Sequence, residues 1–278
     1  MATHSPPMMA PRADSGPAPA RLRTVFCTRG GLFGALVLRQ LLACGHIEVC
    51  GIVHSTRTVH PSFGFLRGAA ALIRRSGLRY ALYLFYATTV ADAWLALCSL
   101  RGLRHRSITA IPVCSTRDIN GRDGLGFLQA RAPQLLVSAF FDQRLEEVAL
   151  AIPGRSLNIH PSLLPQFAGV DPVVQALLSG APLGVTVHHM TPQLDAGAIV
   201  AQQGLTAGTG DSVFRLTARL FETGAGLLVE AMPRIRAHDP GRPQDAGGSY
   251  QSWPTRAELA ALRRGGARLA RICDLCGH

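Results

Sequence analysis

Three polar residues lie in or just after apolar segments in the middle of the chain. Asn158 and His160 stand two positions apart, and Asp195 follows the apolar segment 184–190. Residues two apart in a strand project from the same face, so the Asn158 amide and the His160 imidazole can reach one point. Such a pair suits a reaction in which a carbonyl oxygen gains negative charge and a proton moves near neutral pH. Asp195 would orient or charge-stabilise the imidazole, or accept a proton from an attacking amine.

On spacing alone, Asn158 and His160 could equally be a structural pair whose polar groups satisfy each other. The wider motif favours catalysis. The run Asn158-Ile-His-Pro-Ser-Leu-Leu-Pro165 is followed by Gly169, by Gly184-Val-Thr-Val-His188 and by Asp195-Ala-Gly197. Over about residues 22 to 254, this pattern resembles the folate-dependent formyltransferases, which include methionyl-tRNA, glycinamide ribonucleotide and sugar-amine formyltransferases.

The resemblance implies a formyl donor, 10-formyltetrahydrofolate, and an amine acceptor. By motif position it implies that Asn158, His160 and Asp195 are a catalytic triad. It also implies that the loop of residues 138–145 cups the pterin ring, mostly through backbone groups. The implied folate-binding residues are Ser138, Ala139, Phe140, Gln143, Leu145, Thr191 and Leu194.

The pattern of apolar segments predicts an α/β fold: a Rossmann-like, mostly parallel sheet flanked by helices. A strand at 23–27, a glycine-bearing turn and a helix at about 35–44 open it. The glycines of this turn do not match Gly-x-Gly-x-x-Gly, so no dinucleotide site is expected. Further strands are predicted at 47–53, 108–113, 134–141, 156–159 and 184–190, and further helices at 142–151, 171–178, 211–231 and 256–273.

Two helix starts carry capping candidates. Asp171 precedes Pro172 and should cap the helix that begins there, although it could instead meet a cationic or hydroxylated acceptor. Asp211 or Ser212 should cap the long amphipathic helix that follows.

The predicted organisation is a disordered tail (1–20), a catalytic domain (21–254) and a basic C-terminal helix or tail (255–278). A hydrophobic insertion interrupts the catalytic domain. Residues 81–100 carry one charge, Asp92, with arginines on both sides. The length suits a membrane span, but Asp92 would cost roughly 3 kcal/mol in the bilayer. A core or lid helix, or peripheral contact with a membrane or lipid-like acceptor, costs less.

Composition restricts the chemistry further. All 28 basic side chains are arginine, and the net charge is +11. Without lysine, the chain can form no Schiff base and has no P-loop lysine. The charge suits tRNA, an anionic membrane or an anionic substrate, but it also fits compositional bias. Seven scattered cysteines without a signal peptide indicate a reduced, cytoplasmic protein, with membrane association as the alternative. Cys273, Cys276 and His278 lack a fourth zinc ligand nearby, so no metal is expected.

The acceptor is predicted to be an amine on a small molecule, a sugar or a lipid-linked molecule. Ala168 stands where tRNA formyltransferases usually carry Arg, and we expect their tRNA-binding β-barrel to be missing, so tRNA is not expected. Two alternatives remain. One is hydrolysis of 10-formyltetrahydrofolate by the same triad. The other is a non-catalytic RNA- or membrane-binding protein on this scaffold.

Overall fold

A seven-stranded sheet forms the centre of the computed structural model, which describes residues 20–57, 65–90, 110–245, 248, 250–271 and 274. The strand order is β3-β2-β1-β4-β5-β7-β8, and a separate small sheet pairs β6 with β9. The strands are β1 (Leu22–Thr28), β2 (Ile47–Ser55), β3 (Val113–Thr116), β4 (Leu135–Ala139), β5 (Ser156–His160), β6 (Ala168–Gly169), β7 (Leu183–His189), β8 (Ile199–Leu205) and β9 (Tyr250–Gln251).

Helices cover the sheet on both faces. They are α1 (Gly31–Ala43), α2 (Phe65–Ser76), α3 (Leu78–Phe85), α4 (Arg122–Arg131), α5 (Glu147–Leu150), α6 (Pro172–Ser179), α7 (Val213–Arg236) and α8 (Arg256–Arg264), and a π-helical turn (Tyr86–Val90) directly follows α3. The predicted α/β architecture with a mostly parallel sheet is therefore confirmed.

Parallel pairing runs from β3 through β2, β1 and β4 to β5, whereas β7 and β8 are antiparallel. β4 is buried along its whole length, as expected for a strand covered on both faces. On one face α1 and α7 pack against each other, with the rings of Phe33 and Phe214 5.1 Å apart. On the other face, Leu128 and Ile119 belong to a second buried cluster.

Several predicted elements have other bounds in the structure. Of the strand expected at 108–113, residues 108–109 lie outside the described residues, and residues 110–112 are not strand, because β3 begins at Val113. The helix expected at 142–151 is reduced to α5, because the Gln143 side chain bonds to Ile119, Ser55 and Thr116. These bonds hold the preceding loop against β2 and β3.

The C-terminal helix predicted at 256–273 ends at Arg264. Two glycines follow it, and Gly266 adopts a left-handed conformation with φ +87°, which ends a helix readily. At the other end of the fold, α1 begins at Gly31, one turn before the predicted start.

The hydrophobic insertion is described in part. α3 and the π-helical turn cover 78–90, whereas 91–100, including Asp92, lie outside the described residues. So do residues 1–19 of the predicted tail, Cys273, Cys276 and His278. No helix within the described part of the chain is long and apolar enough to cross a bilayer.

Candidate active site

β5 brings Asn158 between two polar neighbours. It pairs in register with Ser138 of β4 on one side and with His188 of β7 on the other. Ser138 and His188 are each only 2% exposed, so both are shielded from water. The reversal of β7 relative to β5 therefore adds a histidine that the spacing of Asn158 and His160 did not predict.

Asn158 is held by both of these neighbours. The Ser138 hydroxyl donates to Asn158 Oδ1 at 2.6 Å, and Asn158 Nδ2 donates to His188 Nε2 at 3.1 Å. His188 Nδ1 donates in turn to the His189 carbonyl at 2.8 Å, so the ring is a neutral acceptor at Nε2. The second N–H of the Asn158 amide has no partner among the described residues, which leaves one donor for a ligand.

His160 is 5% exposed and lies between a carbonyl and a carboxylate. Its Nε2 donates to the Phe167 carbonyl at 3.1 Å. Its Nδ1 lies 3.5 Å from Asp195 Oδ1. The expected neighbours Asn158, His160 and Asp195 therefore come together, but both ring nitrogens of His160 face protein groups in this conformation. A ring N–H directed at the same point as the Asn158 amide, as the spacing suggested, is not present.

Asp195 reaches His160 from the turn between β7 and β8. Its backbone is left-handed (φ +54°), a conformation that Asp tolerates better than most residues. Its Oδ2 accepts the Gly169 N–H at 2.8 Å. The Gln244 side chain donates to the carbonyls of Asp195 and Gly197 at 2.8 and 2.7 Å. Gln244 thus braces the turn, a role that no local sequence pattern indicated.

The charge state of Asp195 follows from its surroundings. Burial alone would raise its pKa, but His160, whose Nδ1 faces the carboxylate, and the Gly169 N–H hold the pKa well below its usual range. The Nε2 atom of His188 lies 3.6 Å from Asp195 Oδ1. Asp195 is therefore an anion at neutral pH, facing Nδ1 of His160.

The predicted folate loop offers mainly backbone groups. Ser138, Ala139, Gln143 and Leu145 are buried, and the Phe140 ring packs in the core, 5.0 Å from Phe33. The backbone N–H groups of residues 141–145 donate to no other described residue. A run of unused amide donors fits the heteroatom edge of a pterin ring, so the loop suits the implied donor.

The second segment predicted to contact folate is the turn after β7. The Thr191 hydroxyl donates to the Gln193 carbonyl at 2.8 Å, while the Leu194 side chain is 45% exposed. Leu194 is thus the apolar group that this turn offers to a ring. No group of three or more His, Cys, Asp or Glu side chains suited to a metal occurs within the described ranges.

Asp171 differs from its predicted role. It occupies the N-cap position of α6, but its side chain caps nothing. Instead it accepts a 2.5 Å hydrogen bond from the hydroxyl of Tyr80 in α3. Burial raises the pKa of Asp171 to about 6, although the Tyr80 bond opposes this. At the start of α7, Ser212 is the cap and accepts from the Arg215 N–H.

This arrangement can be compared with known proteins. Residues 116–232 match the formyl transferase family. A methionyl-tRNA formyltransferase from Moorella thermoacetica is 38% identical over 138 residues, which are 49% of this chain and 44% of that protein. One from Staphylococcus aureus is 36% identical over 127 residues, 45% of this chain and 41% of that protein. Residues 116–232 are therefore similar to formyltransferases. The matched part spans less than half the length of these relatives.

Two solved structures support the fold over a longer stretch. A phosphoribosylglycinamide formyltransferase from Anaplasma phagocytophilum is 20% identical, with a TM-score of 0.54 over 84% of this chain and 100% of that chain. A sugar N-formyltransferase from a Shewanella species is 16% identical, with a TM-score of 0.54 over 83% of this chain and 76% of that chain. At this level of identity the likeness concerns the fold alone.

Proposed function

We propose that the protein transfers a formyl group from 10-formyltetrahydrofolate to an amine on a small-molecule, sugar or lipid-linked acceptor. The observation that carries this proposal is the meeting of Asn158, His160 and Asp195 in one partly buried cluster, with Asp195 Oδ1 3.5 Å from His160 Nδ1. The similarity of residues 116–232 to the formyl transferase family supports it.

When bound, the donor supplies a formyl carbon that exchanges its bond to the folate nitrogen for a bond to the acceptor nitrogen. A proton leaves the acceptor nitrogen and one is delivered to the folate nitrogen. Asn158 donates to the oxygen that gains negative charge, because its second amide N–H has no partner among the described residues while Ser138 and His188 fix the amide plane. A donor fixed before the reaction needs no reorganisation when the charge develops.

We assign the proton transfer to His160, assisted by Asp195. The Asp195 carboxylate faces His160 Nδ1 at 3.5 Å and orients the ring. His160 must exchange its bond to the Phe167 carbonyl for one to the reacting groups, so we assign it the proton transfer once substrates are bound. The free N–H groups of residues 141–145 hold the donor's ring.

The acceptor assignment depends on the segment after β5. Ala168 lies in β6, paired with Tyr250 of β9, and it offers only a methyl group where tRNA formyltransferases usually carry Arg. The curated relatives are themselves methionyl-tRNA formyltransferases, so initiator tRNA is the acceptor to test against.

A screen of candidate acceptors tests the proposal. The protein is incubated with 10-formyltetrahydrofolate and a panel of amino sugars, nucleotide-linked amino sugars, amino lipids and methionyl-tRNA, and release of tetrahydrofolate is followed. We expect release to depend on one of the small amines and any tRNA binding to fade with salt. Formylation of methionyl-tRNA that persists at high salt would contradict the proposal that the acceptor is a small-molecule, sugar or lipid-linked amine. Equally fast release without any amine would identify a hydrolase instead.

A further inference from the structure

α2 and α3 form a surface of unusual composition. Residues 65–90 contain four arginines and no acidic residue. All four arginines, Arg67, Arg74, Arg75 and Arg79, are exposed. Arg75 donates to the Trp253 carbonyl, whereas the side chains of the other three bond to no described residue. This surface is therefore strongly cationic, and among the described residues most of its charge has no acidic partner.

Large apolar side chains are exposed on the same surface. Leu78, Leu82 and Phe85 are 58%, 57% and 54% exposed. Their spacing of four and three residues places them in one row along α3. Leu66, at the start of the adjoining α2, is 81% exposed. We call these four apolar residues and the four arginines the α2–α3 face.

The opposite side of α3 fixes the direction of this face. Tyr80 and Tyr83 are 0% and 6% exposed, and the Tyr80 hydroxyl is bonded to Asp171. The helix cannot rotate to bury Leu82 and Phe85 without exposing both tyrosines and leaving Asp171 without its donor. The apolar row is thus held outward by the core.

We propose that the α2–α3 face docks on an anionic lipid surface. A row of leucine and phenylalanine can enter the boundary between headgroups and acyl chains, while the arginines bind the lipid phosphates. Charge argues against the same face of a second copy, because it would bring arginines against arginines with no acid between them. The contact is peripheral, and it does not depend on the formyl transfer proposed above.

Flotation of the full chain with vesicles tests this proposal. We expect the protein to float with vesicles of equal parts phosphatidylcholine and phosphatidylglycerol, at least ~10-fold more than with phosphatidylcholine alone, and less as salt rises. Leu82→Ser combined with Phe85→Ser should reduce flotation about tenfold or more. The matched control combines Val113→Ser with Val148→Ser, two residues of similar exposure (57% and 60%) elsewhere on the surface.

The charge is tested separately. Arg74→Gln with Arg79→Gln should reduce flotation roughly tenfold, whereas Arg21→Gln with Arg122→Gln, the same change in charge at other exposed positions, should leave it nearly unchanged. Thermal unfolding verifies that each variant is folded. Equal loss in the control pairs, or no flotation of the wild-type protein, would overturn the proposal. So would a dimer in sedimentation velocity that the Leu82 and Phe85 changes disperse, since the face would then bind a second copy.

Discussion

The cluster of Asn158, His160 and Asp195 and the α2–α3 face differ in how their polar side chains are paired. In the cluster, Asn158, His160 and Asp195 each bond or lie close to groups of the protein, and the carboxylate faces an imidazole. On the α2–α3 face, the side chains of Arg67, Arg74 and Arg79 bond to no residue in the described part of the chain. Internal pairing fixes geometry for a small reacting group, whereas unpaired charge beside exposed apolar side chains suits a large, soft partner.

The two regions are joined at one point. Tyr80 belongs to α3, and its hydroxyl bonds to Asp171. Two residues earlier, the Gly169 N–H bonds to Asp195. The segment 169–171 thus contacts both the cluster and the buried side of α3. Changes to either region can therefore be tested separately.

The largest effect is expected inside the cluster. Asn158→Ala, His160→Ala and Asp195→Asn should each lower turnover by at least ~100-fold, the scale for losing an oxyanion donor or a proton-transfer group. Asn tolerates the left-handed backbone of Asp195 and can still accept the Gly169 N–H, so the third change removes mainly the charge. Steady-state kinetics on the folded variants measure the loss of turnover. The controls are His46→Ala and Asp118→Asn, and a folded His160→Ala protein with the wild-type rate would exclude the mechanism.

The next effect concerns stability at the junction. The pKa of Asp171 rises on folding from 3.8 to about 6 because of burial. The folded state therefore holds an extra proton between these values, so the free energy of unfolding should fall by roughly 3 kcal/mol as pH rises through this window. Asp171→Asn should remove that part of the decline. Urea unfolding of the wild-type and Asp171→Asn proteins at pH 4.5 and 7 measures this difference in the free energy of unfolding. An equal fall in both proteins would show that Asp171 does not titrate in this way.

The smallest effect concerns the orientation of Asn158. Ser138→Ala removes the donor to Asn158 Oδ1, so the amide can rotate, and kcat should fall about tenfold with little change in KM. Ser156→Ala is the matched control, because its buried hydroxyl on β5 has no hydrogen-bond partner within the described ranges. If both changes have the same effect on kcat, the Ser138 bond does not position the amide.

The order of strands and helices along the chain was predictable where it depends on local sequence patterns. Alternating apolar segments and turns predicted the parallel sheet, and the Asn-x-His motif with Asp195 predicted which groups meet. The predicted element boundaries were wrong where a contact with distant residues determines the backbone conformation. Gln143 bonds to residues 24 and 88 positions away, and these bonds keep its loop from forming a helix. No pattern within one segment contains that information.

The same limit explains what was missed in the site. Asp171 was predicted to cap α6 because Asp before Pro is a strong local signal. Its actual partner, Tyr80, lies 91 positions away, directly before the hydrophobic insertion. The part of Ser138 in holding Asn158 depends on strand register, which the sequence alone did not provide. Ser138 was expected only among the folate contacts.

The arginine surface has a consequence for acylation chemistry. A loosely bound formyl donor can modify any accessible amine, and lysine side chains are the usual targets on a protein. None of the side chains of this chain carries a primary amine, and a guanidinium, which stays protonated, is a poor nucleophile. The chain can therefore carry a cationic surface in the presence of a formyl donor without losing that donor to lysine side chains. In a mixture with amine acceptors, formyl-lysine on the protein cannot form as a competing product.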